Sequence, residues 1–134
     1  MAKRVLIVED EPTARQLYRT LLEEEIPGIE IDTAVNGVEA VENCSARSYA
    51  VILMDLHMQV MDGIEAFKHI RQKSSFLKRM PAVIFCTAFA PPDALNEILL
   101  LDKGRHALMK KPASVDEMAD AVRQRLFPQE HKKS

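Results

Sequence analysis

The stretch VILMDLHMQVMDG, residues 51–63, decides how this chain folds. Its first four residues, Val51 to Met54, are apolar without a break and run straight into Asp55. An unbroken Val/Ile/Leu run of that length suits a strand covered on both faces, as in the middle of a parallel sheet. A carboxylate at the end of such a run is costly to desolvate unless a partner or a reaction requires it there. Asp62 and Gly63 then open a helical pattern, so the stretch reads as strand, loop and helix.

Working outward, two more runs look the same: VLIV (5–8) and AVIFC (82–86). IEIDTAV (29–35) alternates like a half-exposed edge strand, and ALM (107–109) is a short fifth candidate. Helical patterns fill the gaps. After Pro12, a residue suited to a first helical turn, Ala14, Leu17, Tyr18, Leu21 and Leu22 fall on one stripe, which IPG (26–28) ends. NGVEAVENC (36–44) opens a second helix, and DGIEAFKHIRQ (62–72) a third with Ile64, Phe67 and Ile70 inward. PPDALNEILLLDKG (91–104) is a fourth, and SVDEMADAVRQRLF (114–127) a fifth. In the fifth, Ser114 and Glu117 form a capping-box pattern and Val115, Met118 and Val122 the stripe. In the fourth, ILLL (98–101) covers a full turn, so at least one of Leu100 and Leu101, with Leu95 a further candidate, is expected outside.

The alternation of strand and helix predicts an α/β fold: a five-stranded parallel sheet, helices on both faces, right-handed crossovers. One domain is expected over 1–127, followed by a polar, frayed tail at 128–134. The composition agrees with a soluble globular chain: 134 residues, 47% apolar, 28% charged, net charge −2. That charge gives no case for nucleic acid or a membrane surface, and no apolar run nears the roughly 20 residues that span a bilayer. The opening MAKRVLIVED does not read as a secretory signal. Cys44 and Cys86 lack metal-type spacing; Cys86 reads as a buried, reduced thiol, and a cytoplasmic location is expected.

In a parallel sheet all strand C-termini share one edge, and ligands bind there. VLIV leads into Glu9 and Asp10, VILM into Asp55, AVIFC into Thr87, and ALM into Lys110 and Lys111. Carboxylates brought this close must take up protons or share a cation. An all-oxygen set with room for water and phosphate suits Mg²⁺. Metal and lysine together neutralise phosphoryl oxygens, so the edge can accept a phosphoryl group, with Asp55 on the central strand as nucleophile. Taken singly, each residue has a plainer reading: helix cap for Glu9 or Asp10, strand residue for Thr87, solvated charge for Lys111.

VLIVEDEP, DLHMQVMDG, CTA and KKP, in that order and at these intervals, resemble the receiver domain of bacterial two-component response regulators, the chemotaxis regulators among them. The resemblance spans about residues 3–127. It implies strand order 2-1-3-4-5, the flavodoxin-like arrangement. It implies that Asp55 is the phosphoacceptor, taking phosphate from a sensor histidine kinase or phosphotransfer protein. Asp10, Asp55 and the backbone carbonyl of His57 would hold Mg²⁺, and Glu9 its bound water. Thr87 would donate its hydroxyl to the phosphoryl group and Lys111 would pair with another of its oxygens, while Lys110 stays solvated. Pro112 resembles the family's cis-proline.

Three positions depart from the family pattern. Glu9 stands where Asp is commoner, Gln59 where proline is usual, and Leu108 where a Tyr or Phe normally turns inward on activation; Gly63 keeps its place. The His57 side chain, two residues after Asp55 at the mouth of the site, reads as a solvated loop histidine, with a second metal ligand as the alternative. Leu108 puts the usual output switch in question and moves the expected response to residues 87–104. Phe89 either shields the phosphoryl group or anchors its loop, and the basic stretch RQKSSFLKR (71–79) reads as a solvated helix end. The expected role is a switch, not an enzyme, which binds a downstream partner or output domain, with a homodimer through the fourth helix as a further expectation. It is either a stand-alone regulator or a receiver from a longer chain. Two other readings stay open. One is a Mg²⁺-dependent aspartyl phosphatase, which calls for a second Asp where His57 stands. The other is a docking protein that is never phosphorylated.

Overall fold

Residues 3–77 and 80–128 are described by the structure, a computed structural model. The stretch at 51–63 does form a buried strand followed by a helix. Five strands, β1 (Arg4–Val8), β2 (Glu30–Ala34), β3 (Val51–Asp55), β4 (Ala82–Thr87) and β5 (Ala107–Lys110), alternate with five helices. These are α1 (Pro12–Glu25), α2 (Gly37–Ala46), α3 (Gly63–Leu77), α4 (Ala94–Leu100) and α5 (Val115–Leu126). All strand pairs are parallel, in the order β2-β1-β3-β4-β5. β3 and β4 are buried at every position. β2 lies at one edge but does not alternate as expected: Ile31 is buried in one layer and Ala34 in the other, with Asp32 and Thr33 half-buried between them.

Successive side chains on a strand point to opposite faces, and two apolar layers result. Leu6, Val8, Ile52, Met54, Val83 and Phe85 pack against α3 and α4 through Phe67, Ile70, Leu95 and Ile98. Val5, Ile7, Val51, Leu53 and Ile84 pack on the other side against Leu22 of α1 and Met118, Val122 and Leu126 of α5. The capping box of Ser114 and Glu117 is present at the start of α5. Pro12 stands in the first turn of α1, with Glu11 accepting from the amides of Thr13 and Ala14 as its cap.

Several expectations are corrected. Leu17 is 52% exposed. It lies next to Tyr18 in sequence, hence about 100° around the axis, and the buried stripe centres on Leu22. α3 runs on to Leu77, so Arg71 and Lys73 of the basic stretch lie within it and are not merely solvated. Arg71 pairs with Asp102 and Lys73 donates to Ser45 Oγ at 2.8 Å. α4 is shorter than predicted: Leu101 is extended and Asp102–Gly104 form a separate tight turn. Leu100 stands outside as expected, but Leu95 is buried. Lys78 and Arg79 of the basic stretch, and 129–134 of the tail, lie outside the described residues.

Candidate functional site

The sheet's C-terminal edge collects the polar residues because each follows a strand that the core pins in place. Ladder bonds continue one residue past the strands and fix them further. The Glu9 amide donates to Ala34 O at 3.1 Å, the Leu56 amide to Cys86 O at 2.9 Å, and the Lys111 amide to Thr87 O at 2.8 Å. Side-chain oxygens of Glu9, Asp10 and Asp55 then lie within 4.8 Å of one another, a spacing one hard cation can bridge. Glu9 and Asp55 are buried and Asp10 is exposed, so the cluster has a wet side.

Lys111 closes the other side. Its Nζ lies 2.8 Å from Glu9 Oε1 and 3.5 Å from Asp55 Oδ2. Burial works to lower its pKa, but the hydrogen bond to Glu9 and the charges of Asp55 and Glu9 outweigh it, and the ammonium is held well above the ordinary lysine value. Its Nζ also sits 5.9 Å from the centre of the Tyr18 ring. The Lys111–Pro112 bond is cis.

Asp55 Oδ1 accepts from the His57 amide at 3.3 Å. Thr87 is buried, and its Oγ1 accepts from the Phe89 amide at 3.0 Å. With an acceptor position filled, the hydroxyl proton remains available to donate. Gly63 is required by contact: a Cβ there would come within 2.5 Å of the Asp55 carbonyl and 3.1 Å of Leu56 Cα. The chain after Asp55 folds back this closely because the Gly63 amide donates to Leu56 O at 3.1 Å.

The structure therefore brings together Glu9, Asp10, Asp55 and Lys111, with Thr87 at the adjoining strand end. Lys110 is exposed and takes no part. The His57 ring meets Phe89 edge to face, with centroids 5.1 Å apart. Leu108 lies opposite Phe85 in the β4–β5 register and packs, partly buried, into the layer beneath α4. Sequence reasoning missed α1's contribution. Arg15 Nη1 donates to the Glu9 carbonyl at 2.8 Å, and the Glu11 amide donates to Glu9 Oε2 at 3.2 Å. The available signal was the short gap between Glu9 and Pro12, which forces the first turns of α1 over the acidic pair.

Among the described residues, no helix is long and apolar enough to cross a membrane. Comparison with known proteins agrees with the geometry. The model of the response regulator receiver domain family matches residues 5–123. The chain is 34% identical over 123 residues to the chemotaxis protein CheY of Halobacterium salinarum, covering 91% of this chain and 95% of that one. It is 38% identical over 108 residues to a protein-glutamate methylesterase/protein-glutamine glutaminase of Hahella chejuensis, covering 81% of this chain but 30% of that one. With the transcriptional regulatory protein LiaR of Bacillus subtilis it shares 36% identity, over 90% of this chain and 54% of the relative. So the chain spans nearly all of one of these relatives and only a third to a half of the other two. Among solved structures, the Francisella response regulator 1452 receiver domain superposes with a TM-score of 0.76 at 28% identity, covering 95% and 98% of the two chains. Chemotaxis protein CheY4 of Vibrio cholerae, at 24% identity and a TM-score of 0.78 over 93% and 99%, shares the fold. A five-stranded parallel sheet in this order, an acidic cluster on its C-terminal edge and a family match over residues 5–123 together place the chain in the response regulator receiver domain family.

Proposed function

We propose that this receiver domain accepts a phosphoryl group on Asp55 in a Mg²⁺-dependent reaction and so switches its binding to a partner. The observation that carries the reading is the unequal charge at the strand ends: three clustered carboxylates face one ammonium. In the proposed transfer an Asp55 carboxylate oxygen attacks phosphorus, the bond from phosphorus to the donor's imidazole nitrogen breaks, and a P–O bond forms. The displaced imidazole leaves with the electron pair of the broken bond. Asp10, Asp55 and the His57 carbonyl are the proposed metal ligands, with Glu9 holding a bound water. When bound there, Mg²⁺ supplies positive charge to the transferring oxygens. Lys111, already beside Asp55, pairs with one phosphoryl oxygen, and Thr87 donates its hydroxyl to another. Both act as fixed charge or dipole where charge develops.

The donor is taken to be a sensor histidine kinase or phosphotransfer protein, and the recipient of the signal a downstream partner or output domain. A cytoplasmic setting suits the two free cysteines. Self-association through α4, where Leu100 is exposed, belongs to the same reading. With Leu108 packed in place of a mobile ring, we take the response to run through residues 87–104. Incubation with acetyl phosphate and Mg²⁺, followed by intact-mass analysis, tests the assignment. One phosphoryl group should be taken up by the native chain and none by Asp55→Asn; stoichiometric uptake by the variant would falsify it.

A further inference from the structure

At the opposite end of α4 lies a second cluster of titratable groups, which the phosphoryl chemistry does not use. His106 precedes β5, and its side chain has no exposed surface. Its Nδ1 accepts the Val83 amide proton at 3.0 Å, at the start of β4. Its Nε2 lies 2.7 Å from Asp102 Oδ2. The Phe67 ring of α3 meets it edge to face at 4.9 Å. These contacts settle the tautomer. Nδ1 must offer a lone pair to an amide, so the single proton sits on Nε2 and is donated to Asp102.

Asp102 is the hub. It also receives Arg71 Nε at 3.2 Å and Arg71 Nη2 at 3.4 Å from α3. Its own backbone is left-handed, at φ 53°, and is followed by Lys103 at φ 62° and Gly104 at φ 70°. Two consecutive residues with a Cβ in that region are strained, and the side-chain bonds of Asp102 hold them there. One carboxylate thus ties the end of α4 to α3 directly, and to β4 through His106.

A second proton on the ring breaks this arrangement. It would sit on Nδ1 and point at the Val83 N–H, placing donor against donor. Rotating the ring to relieve that clash moves it off Asp102. Among the described residues, the charged groups facing His106 are Asp102 from the turn, Arg71 from α3 and Arg105 beside it. β4 offers only the Val83 amide. Arg105 Nη1 is held by Met80 O at 2.7 Å, and Arg125 of α5 donates Nε to Arg105 O at 3.0 Å. We propose that His106 is a proton-sensitive latch: neutral, it clamps the Asp102–Gly104 turn onto β4 and α3; protonated, it releases the turn. Arg71 and Leu101 also line a groove of about 510 Å³ between α3 and α4, with Phe67 and Ile98. Release of the turn therefore reshapes that groove.

Burial disfavours the imidazolium more than Asp102 favours it, so the pKa of His106 lies below its ordinary 6.5. With the folded value depressed, the latch's stabilisation is fully present above the unfolded pKa and is lost as pH falls below it toward the folded value. Amide and ring nitrogen NMR on the full chain, from about pH 7.5 down to about pH 5, reads the device directly. The expected result is an Nε2–H tautomer at neutral pH and a ring titrating below ordinary histidine. The amides of Val83 and residues 101–105 should share its midpoint. His106→Asn should keep an acceptor for Val83 and abolish that shared titration; if it does not fold, the native titration alone decides. An Nδ1–H tautomer, a ring that stays neutral until the whole chain unfolds, or amides at 83 and 101–105 that do not follow the ring would each overturn the latch.

Discussion

Both ends of α4 adjoin charged clusters, and the two are built on opposite plans. Beyond its N-terminal end, at the strand C-termini, Glu9, Asp10 and Asp55 share one nearby ammonium, Lys111. At its C-terminal end, Asp102 is matched by Arg71, and the neutral His106 has a partner on each ring nitrogen. The first cluster carries excess charge, opens to water through Asp10 and keeps a hydroxyl proton to spare at Thr87. The second is balanced. The contrast teaches that a charged cluster in a core is not a site by virtue of charge alone. Unspent charge and open coordination mark the edge that can take a ligand; closure marks the one that holds shape.

The comparison can be broken by removing one charge at each end. The largest effect is expected at the open edge, on function: Lys111→Ala should still bind Mg²⁺ but lose at least about tenfold in phosphoryl uptake, as for loss of a preorganised charge. Native uptake and a native spectral response in that variant would make Lys111 a bystander. Stability should respond with opposite signs at the two clusters. Asp102→Ala orphans the buried His106 N–H and leaves an alanine in left-handed backbone, so we expect a loss of about 2–4 kcal/mol. Asp55→Asn relieves repulsion and should raise the urea midpoint in divalent-free buffer, whereas added Mg²⁺ should stabilise the native chain and not the variant. If both variants lose stability equally, the distinction between open and closed clusters fails. The smallest expected effect is steric: Gly63→Ala must push the backbone off Asp55 and Leu56, at a cost of about 1–3 kcal/mol in urea unfolding.

The acidic edge was legible because each of its residues directly follows a run of strand residues, so one-dimensional order maps onto one spatial edge. The central strands were legible for a related reason. β3 and β4 are buried on both faces, and nothing but an unbroken apolar run satisfies that. The closed cluster was not legible. Its members come from α3, the turn and the residue before β5, with Arg71 and Asp102 31 positions apart in sequence. Read locally, Asp102 and Lys103 look like the last turn of a helix ending at Gly104. Their left-handed backbone instead coincides with the bonds of the Asp102 side chain to His106 and Arg71. Leu17 was misread because periodicity gives a stripe but not its width: α1 buries a narrow band around Leu22, and its flank stays in water.

Cys86 stands beside Asp55 in the β3–β4 register and is buried. Burial pushes its thiol up to about 12, and Cys44 likewise to about 12. The thiolate is the reacting form, so slow labelling is expected near neutrality, slowest at the buried Cys86. A cysteine placed at exposed Val60 or Leu100 should then react faster than either native thiol, which timed maleimide labelling checks. Such a variant should take a single spectroscopic label at one end of the molecule or the other with Cys44 and Cys86 left as they are.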